Sequence, residues 1–168
     1  MPSTDLCVLV ISANGAEPGL AAIRQSLDHL GTPYRVHIAT ENPGGLSEDS
    51  LSRGDHAFYQ GVILTTADLG YLAEGGWTSA LSPEEWHNLR VFEARFGIRE
   101  LSWYSYPTLG RGFLLPVRVV DTSTETLWGE FTPAGRSLFP YMNTSNPFPI
   151  KEVTAYLARP GSDGRVEP

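Results

Sequence analysis

The 168-residue chain has few of the residues that staple, metallate or anchor a protein. Its one cysteine, Cys7, excludes an internal disulfide. Cys7 lies in the apolar run LCVLVIS, which predicts a buried, inert thiol. Of the four histidines, His29, His37, His56 and His87, no two have the spacing of a metal-binding pair. No metal site and no cofactor is expected. Lys and Arg number 12 against 19 Asp and Glu, without a basic stripe, so nucleic acid is not an expected partner. The net charge of −7 carries no charged block and reads as an acidic, solvated surface. No apolar run is long enough to span a membrane. The start, MPSTDLCVLVIS, lacks a basic region and a cleavage pattern, so it does not read as a signal peptide.

What is present is globular. The length suits one domain, and 41% hydrophobic residues are enough for a core without staples. Residues 6–12, LCVLVIS, form an unbroken apolar run, as in a strand covered on both faces. Leu20, Ile23, Leu27 and Leu30 then recur at helical spacing, and Gly31 stands at the expected C-cap. YRVHIAT at 34–40 is the second strand, completing a βαβ unit. The polar stretch ENPGGLSEDSLSRGDH leaves room only for a short helix, and AFYQGVILTT is the third strand. Ser82-Pro83-Glu84-Glu85 is a helix start with a capping box, and Gly97 ends that helix before the fourth strand, IRELSWYSY.

After residue 107 the pattern changes. FLLPVRVVD, ETLWGEFT and EVTAYLA read as strands, GRSLFPYM as a short helix and NTSNPFPI as extended chain. The expected architecture is a three-layer, flavodoxin-like or Rossmann-like parallel sheet with a strand-rich C-terminal extension. It forms one domain over 1–160, with its core at 5–107 and additions at 108–158. Residues 161–168 read as a linker or frayed tail.

In such a sheet ligands bind beyond the carboxyl ends of the strands. Four loops meet there: 12–19, 40–45, 65–77 and 104–111. The first, SANGAEPG, precedes a helix. It is either a plain turn or a seat for a small anion or sugar oxygen near Asn14 and Gly15. It matches neither dinucleotide nor P-loop patterns. The third loop stands where a nucleophile elbow would be, but Leu64-Thr65-Thr66-Ala67-Asp68 lacks the G-x-[SC]-x-G pattern. No histidine follows His87 to complete a triad. No catalytic residue is assigned.

Aromatic residues are the richer signal. Trp103, Tyr104 and Tyr106 lie at a strand exit, with Tyr71 and Trp77 in the neighbouring loop. An exposed ring stacks on the apolar face of a pyranose, while Asp68, Asp121 and Arg111 would take its hydroxyls. The alternative is that these rings pack the core, as Trp86 does on the apolar face of its helix.

The order of motifs resembles the N-terminal region of secreted exopolysaccharide deacetylases of fungi and bacteria that act on galactosaminogalactan. The likeness rests on LGTPYRV at 30–36, GWTSALSPEEW at 76–86, FGIRELSWYSYP at 96–107 and AGRSLFPYMN at 134–143. In outline the region also looks like a class I glutamine amidotransferase sheet. The resemblance implies a non-catalytic accessory domain that supports polysaccharide or oligosaccharide binding, or braces a downstream metal-dependent catalytic domain. It implies an extracellular place within a larger secreted protein; a chain complete as given would be cytoplasmic. The other readings are a degenerate amidotransferase-like or hydrolase enzyme, with Thr65, Thr66 or Asp68 at the strand exit, and a flavodoxin-like binder of a small ligand.

Overall fold

The structure, a computed structural model, describes residues 3–161. The expected tail therefore lies, beyond Gly161, outside the described residues. The chain divides into two compact units, Met1–Ser105 and Tyr106–Pro168. The division falls beside the change of pattern expected after residue 107.

Unit 1 opens with β1 (Ser3–Thr4), β2 (Val8–Ser12), α1 (Pro18–Leu30) and β3 (Tyr34–Ile38). A short α2 (Glu48–Leu51) follows, then β4 (Ser52–Arg53), β5 (His56–Ala57) and β6 (Gly61–Leu64). The unit closes with β7 (Gly70–Ala73), β8 (Gly76–Ser79), α3 (Pro83–Phe96) and β9 (Arg99–Ser102). Four strands form one parallel sheet in the order β3-β2-β6-β9. Alternation along the strands sends side chains to two separate apolar clusters. Val10 joins Leu20, Ile23 and Leu27 of α1, with Ile63 packed against them. Leu9, Ile11, Val62 and Leu64 join Leu89 and Phe92 of α3. Each such aliphatic side chain, fully buried, contributes about 1.5–3 kcal/mol.

The helix ends follow the local chemistry. Gly31 and Gly97 take left-handed backbone conformations, φ 64° and 66°, and donate back into the last turns. Ser82 caps α3, and Glu85 returns the bond to the Ser82 amide at 3.0 Å. Glu85 is buried, and it also faces the Leu46 amide at 3.4 Å, which ties the loop after β3 to α3. Trp86 is half-buried and packs against the core, as its helix position requires.

Unit 2 is strand-rich. A 3₁₀ turn at Leu109–Arg111 precedes β10 (Arg118–Asp121) and β11 (Leu127–Gly129), then α4 (Pro133–Leu138), β12 (Phe148–Ile150) and β13 (Thr154–Leu157). β10 pairs antiparallel with β13, and β11 with β12. The short helix begins earlier than GRSLFPYM predicts. Thr132 caps it through the Gly135 amide at 3.1 Å, Pro133 fits its first turn, and Pro140 lies just beyond its end.

Candidate functional site

The carboxyl edge of the parallel sheet is built around a residue that no sequence pattern singles out. Glu17 occupies the N-cap of α1, yet its side chain does not cap the helix. It turns back to the sheet. Ser12 Oγ donates to Glu17 Oε2 at 2.5 Å, and the Ala13 amide to Oε1 at 2.5 Å. Thr65 Oγ1, at the exit of β6, donates to Oε1 at 3.0 Å. One carboxylate thus joins the ends of two adjacent strands. Burial pushes the Glu17 carboxyl up, but the bonds from Ser12, its own backbone, Ala13 and Thr65 outweigh burial and hold it below its ordinary value. Its charge also suits the positive end of α1. A polar clasp of this kind has only the pattern of a turn in sequence, because its partners lie 5 and 48 residues away.

The loop after β2 is organised by the same clasp. The Gly15 amide donates to Ser12 Oγ at 2.8 Å, and Gly15 has φ 79°, a conformation that favours glycine. The Asn14 side chain accepts from the Ala16 amide at 3.0 Å. Asn14 and Gly15 are both exposed, and these bonds occupy the Gly15 amide and the Asn14 carbonyl oxygen. Thr65 is buried, with its hydroxyl committed to Glu17.

The stretch after β6 is expected as a loop, but the structure folds part of it into a hairpin. The Ala67 amide donates to the Tyr104 carbonyl at 2.8 Å, holding the exits of β6 and β9 together. Leu69 is fully buried with φ 45°, a conformation uncommon for a branched side chain. Its burial offsets the strain and turns the chain into β7. The signal for the hairpin is YLA and WTS around Glu74-Gly75-Gly76: strand-favouring residues on either side of a glycine turn.

The hairpin has two unlike faces. Tyr71 stands opposite Thr78, and Tyr71 packs against the core. Trp77 stands opposite Leu72 on the other face, and they are 79% and 68% exposed. A Cβ on Gly70 would meet Trp77 Cε3 at 3.8 Å, so the indole lies back along its own ribbon. The result is an exposed apolar pair, Trp77 and Leu72, on the outer face of the ribbon. Ser79 fixes the ribbon to α3 by donating to the Asp68 carbonyl and accepting from Trp86 Nε1, both at 3.0 Å. The Arg90 guanidinium covers the Trp86 ring, 5.3 Å from its centroid.

Trp103 supplies a second ring at this edge. It is 53% exposed and rests against α1, where a Cβ on Gly19 would come within 2.7 Å of its Cδ1. Only glycine allows that approach. Tyr104 is exposed beside it in sequence, and Asp68 is exposed at the entry to the hairpin. Asn14, Gly15, Asp68, Tyr71, Trp77 and Tyr104 all lie in unit 1, on the segments that follow β2, β6 and β9. Tyr106 and Arg111 belong to unit 2; there Tyr106 meets Tyr156 edge-on at 4.9 Å, and Arg111 is half-exposed. Asp121 is engaged in its own turn, accepting from Ser123 Oγ at 2.6 Å.

Unit 1 also holds a second hydrogen-bonded chain, near the starts of β2 and β6. His56 Nδ1 pairs with Ser3 Oγ at 2.8 Å, and His56 Nε2 with Asp5 Oδ1 at 3.1 Å. Ser3 and Asp5 are exposed, the chain staples β1 to β5, and Asp5 also lines a shallow cavity with Cys7, Arg35 and Phe58. Among the described residues no group of His, Cys, Asp or Glu is placed to hold a metal ion, and no helix is long and apolar enough to cross a membrane.

A crystal structure described as that of Agd3, a novel carbohydrate deacetylase, matches this fold with a TM-score of 0.77 at 19% identity. The match covers 96% of this chain and 24% of that one, so the chain spans about a quarter of the length of the protein it resembles. No curated protein matches. The family profile described as Agd3 CBM87 fits residues 4–135, which include all of the parallel sheet, both long helices and the ribbon that carries Trp77. This chain therefore belongs to the Agd3 carbohydrate-binding module family, CBM87.

Proposed function

We propose that this chain is the non-catalytic, glycan-binding part of a longer, secreted polysaccharide deacetylase, and that the carboxyl edge of its parallel sheet meets the polysaccharide. One observation carries the reading: Trp77, 79% exposed, lies alongside Gly70 on a ribbon whose other face packs on the core through Tyr71. A pyranose presents one face of C–H bonds and a rim of hydroxyls, and a rigid indole bordered by polar groups complements both. Asp68 and Asn14 supply the hydroxyl contacts, with Tyr104 as a further contact and Gly15 allowing close approach, while Tyr71, packed against the core, braces the ribbon from its inner face. Trp103 extends the aromatic surface. The Glu17 clasp keeps the loop after β2 and the exit of β6 in fixed relation, so little ordering is left for the ligand to impose.

The finer architecture belongs to the same proposal. The strand order β3-β2-β6-β9 and apolar clusters involving α1 and α3 support a doubly wound, flavodoxin-like unit 1. We read 1–160 as one working domain. The enzyme reading is not favoured, because the Thr65 hydroxyl is buried and donates to Glu17.

Titration with N-acetylhexosamine oligomers, followed by tryptophan fluorescence and calorimetry, tests the function. The wild-type chain should bind saturably with a change in emission, and Trp77→Ala should lose most of the affinity while melting at an unchanged temperature. A Trp77→Ala chain that binds as the wild type does would overturn the assignment of the site.

A further inference from the structure

The β11–β12 ribbon of unit 2 repeats the design of the β7–β8 hairpin. Its register pairs Leu127 with Ile150, Trp128 with Pro149, and Gly129 with Phe148. Opposed residues in an antiparallel pair share a face, and successive pairs alternate between faces. One face therefore carries Leu127, Ile150, Gly129 and Phe148. That face has a packing partner: Phe148 lies 5.6 Å from Phe131, which meets Phe139 at 6.0 Å. A Cβ on Gly129 would come within 2.6 Å of Phe148 Cζ, so the glycine lets the ring lie against the strand. The other face carries Trp128 and Pro149, and Trp128 is 66% exposed.

Among the described residues Trp128 joins none of the ring contacts of its unit, so no ring packing accounts for it. Its surroundings favour a glycan over an apolar protein partner. Thr126 and Glu130, two residues to either side, and Lys151, two residues beyond Pro149, are all exposed. An indole and a proline ring edged by a hydroxyl, a carboxylate and an ammonium suit a pyranose, which needs an apolar plate with hydrogen-bonding groups at its rim.

We propose that Trp128, backed by Pro149, is a second pyranose-stacking platform, so that the chain grips a polysaccharide of amino sugars at two places. The inference rests on the reading of Trp77 as the first platform. Two modest platforms on one polymer give an avidity that neither has alone, and the gain appears only with ligands long enough to occupy both.

The test uses the 168-residue chain and its variants Trp77→Ala, Trp128→Ala, Trp128→Phe and the double alanine variant. The probes are a short N-acetylhexosamine oligomer and a long, partly N-acetylated polymer of the same sugar. Each single alanine variant should bind the polymer about tenfold more weakly, and the double variant should not bind. Trp128→Phe should recover most of the loss, because the stacking face is kept. Trp128→Ala that binds the polymer as the wild type does overturns the inference and leaves Trp77 standing. Weaker self-association of Trp128→Ala with unchanged glycan binding overturns it too, and assigns the ring to a protein contact. No binding by the wild type overturns both readings together. Circular dichroism and melting of Trp128→Phe confirm that a change in binding is not a loss of fold.

Discussion

The two units use their apolar side chains in opposite ways. Unit 1 seals Leu9, Ile11, Leu64, Leu69 and Leu89 almost completely, while Trp77 and Trp103 remain exposed outside that core. In unit 2 Val120 is the buried large aliphatic among the described residues, while Trp128, Leu138, Tyr141 and Met142 are exposed. An exposed ring is informative in proportion to how little else is exposed around it. In unit 1 Leu6, Leu30 and Leu72 are exposed as well, so Trp77 stands out through the packed inner face of its ribbon rather than through exposure alone. In unit 2 the same criterion sets Trp128 apart, because the opposite face of its ribbon packs through Phe148 on Phe131.

Core truncation should break this comparison most sharply. Leu89→Ala in unit 1 removes a fully buried side chain and should cost about 2–5 kcal/mol. Leu138→Ala in unit 2, where the side chain is 63% exposed, should stay within about 0.5 kcal/mol of the wild type. Urea denaturation of both variants measures the difference, and comparable losses would show that unit 2 has a core of its own.

Loss of the clasp should come next. Glu17→Gln keeps the shape but cannot accept from Ser12, Ala13 and Thr65 as a carboxylate does, and about 1–2 kcal/mol should be lost. Glu17 and Glu85 both titrate below their ordinary value of 4.5 in the folded chain. An acid whose folded value is depressed contributes stability above its unfolded value, and that stability is lost as the pH falls through the folded one. Melting temperatures of the wild type should therefore drop below about pH 4.5, and the drop should be shallower in Glu17→Gln. Asp121 of unit 2 is also held low, by its bonds from Ser123, but it is fully exposed, so Asp121→Asn should leave the acid limb as it is.

Smaller effects are expected where a glycine makes room for a ring. Gly129→Ala should push Phe148 away from Gly129, disturb its contact with Phe131 and cost about 1 kcal/mol. In Gly19→Ala the displaced ring is Trp103, already half-exposed, and alanine favours the helix by up to about 1 kcal/mol. Its stability should barely change, and a red shift of tryptophan emission should report the displaced ring. Trp77→Ala should be the mildest for stability, within about 0.5 kcal/mol, although it removes the proposed platform.

Much of unit 1 is legible in the sequence itself. The apolar run at 6–12 contains β2, the leucine spacing runs along α1 to Gly31, and Ser-Pro-Glu-Glu marks the start of α3. These features depend on neighbours within a few residues. The hairpin at Gly70–Ala73 and Gly76–Ser79 is harder to see, because its glycine turn has the composition of a binding loop. Strand propensity overstates the extent of strand in unit 2, since FLLPVRVVD contributes only Arg118–Asp121 and ETLWGEFT only Leu127–Gly129. Short ribbons depend on their cross-strand partners, and a single sequence does not show which partners are available.

The site divides along the same line. Composition and pattern alone determined a chain without a disulfide, with a parallel βα core and with aromatics clustered at strand exits. Tertiary structure decided which aromatics face water. Tyr71 and Trp77 lie six residues apart in one stretch, yet the pairing of β7 with β8 turns one to the core and the other outward. It also decided that Glu17 faces the sheet rather than its own helix, because the hydroxyl of Thr65 arrives from a strand 48 residues away. Backbone propensity is set by adjacent residues, whereas exposure and charge are set by what the rest of the chain brings alongside.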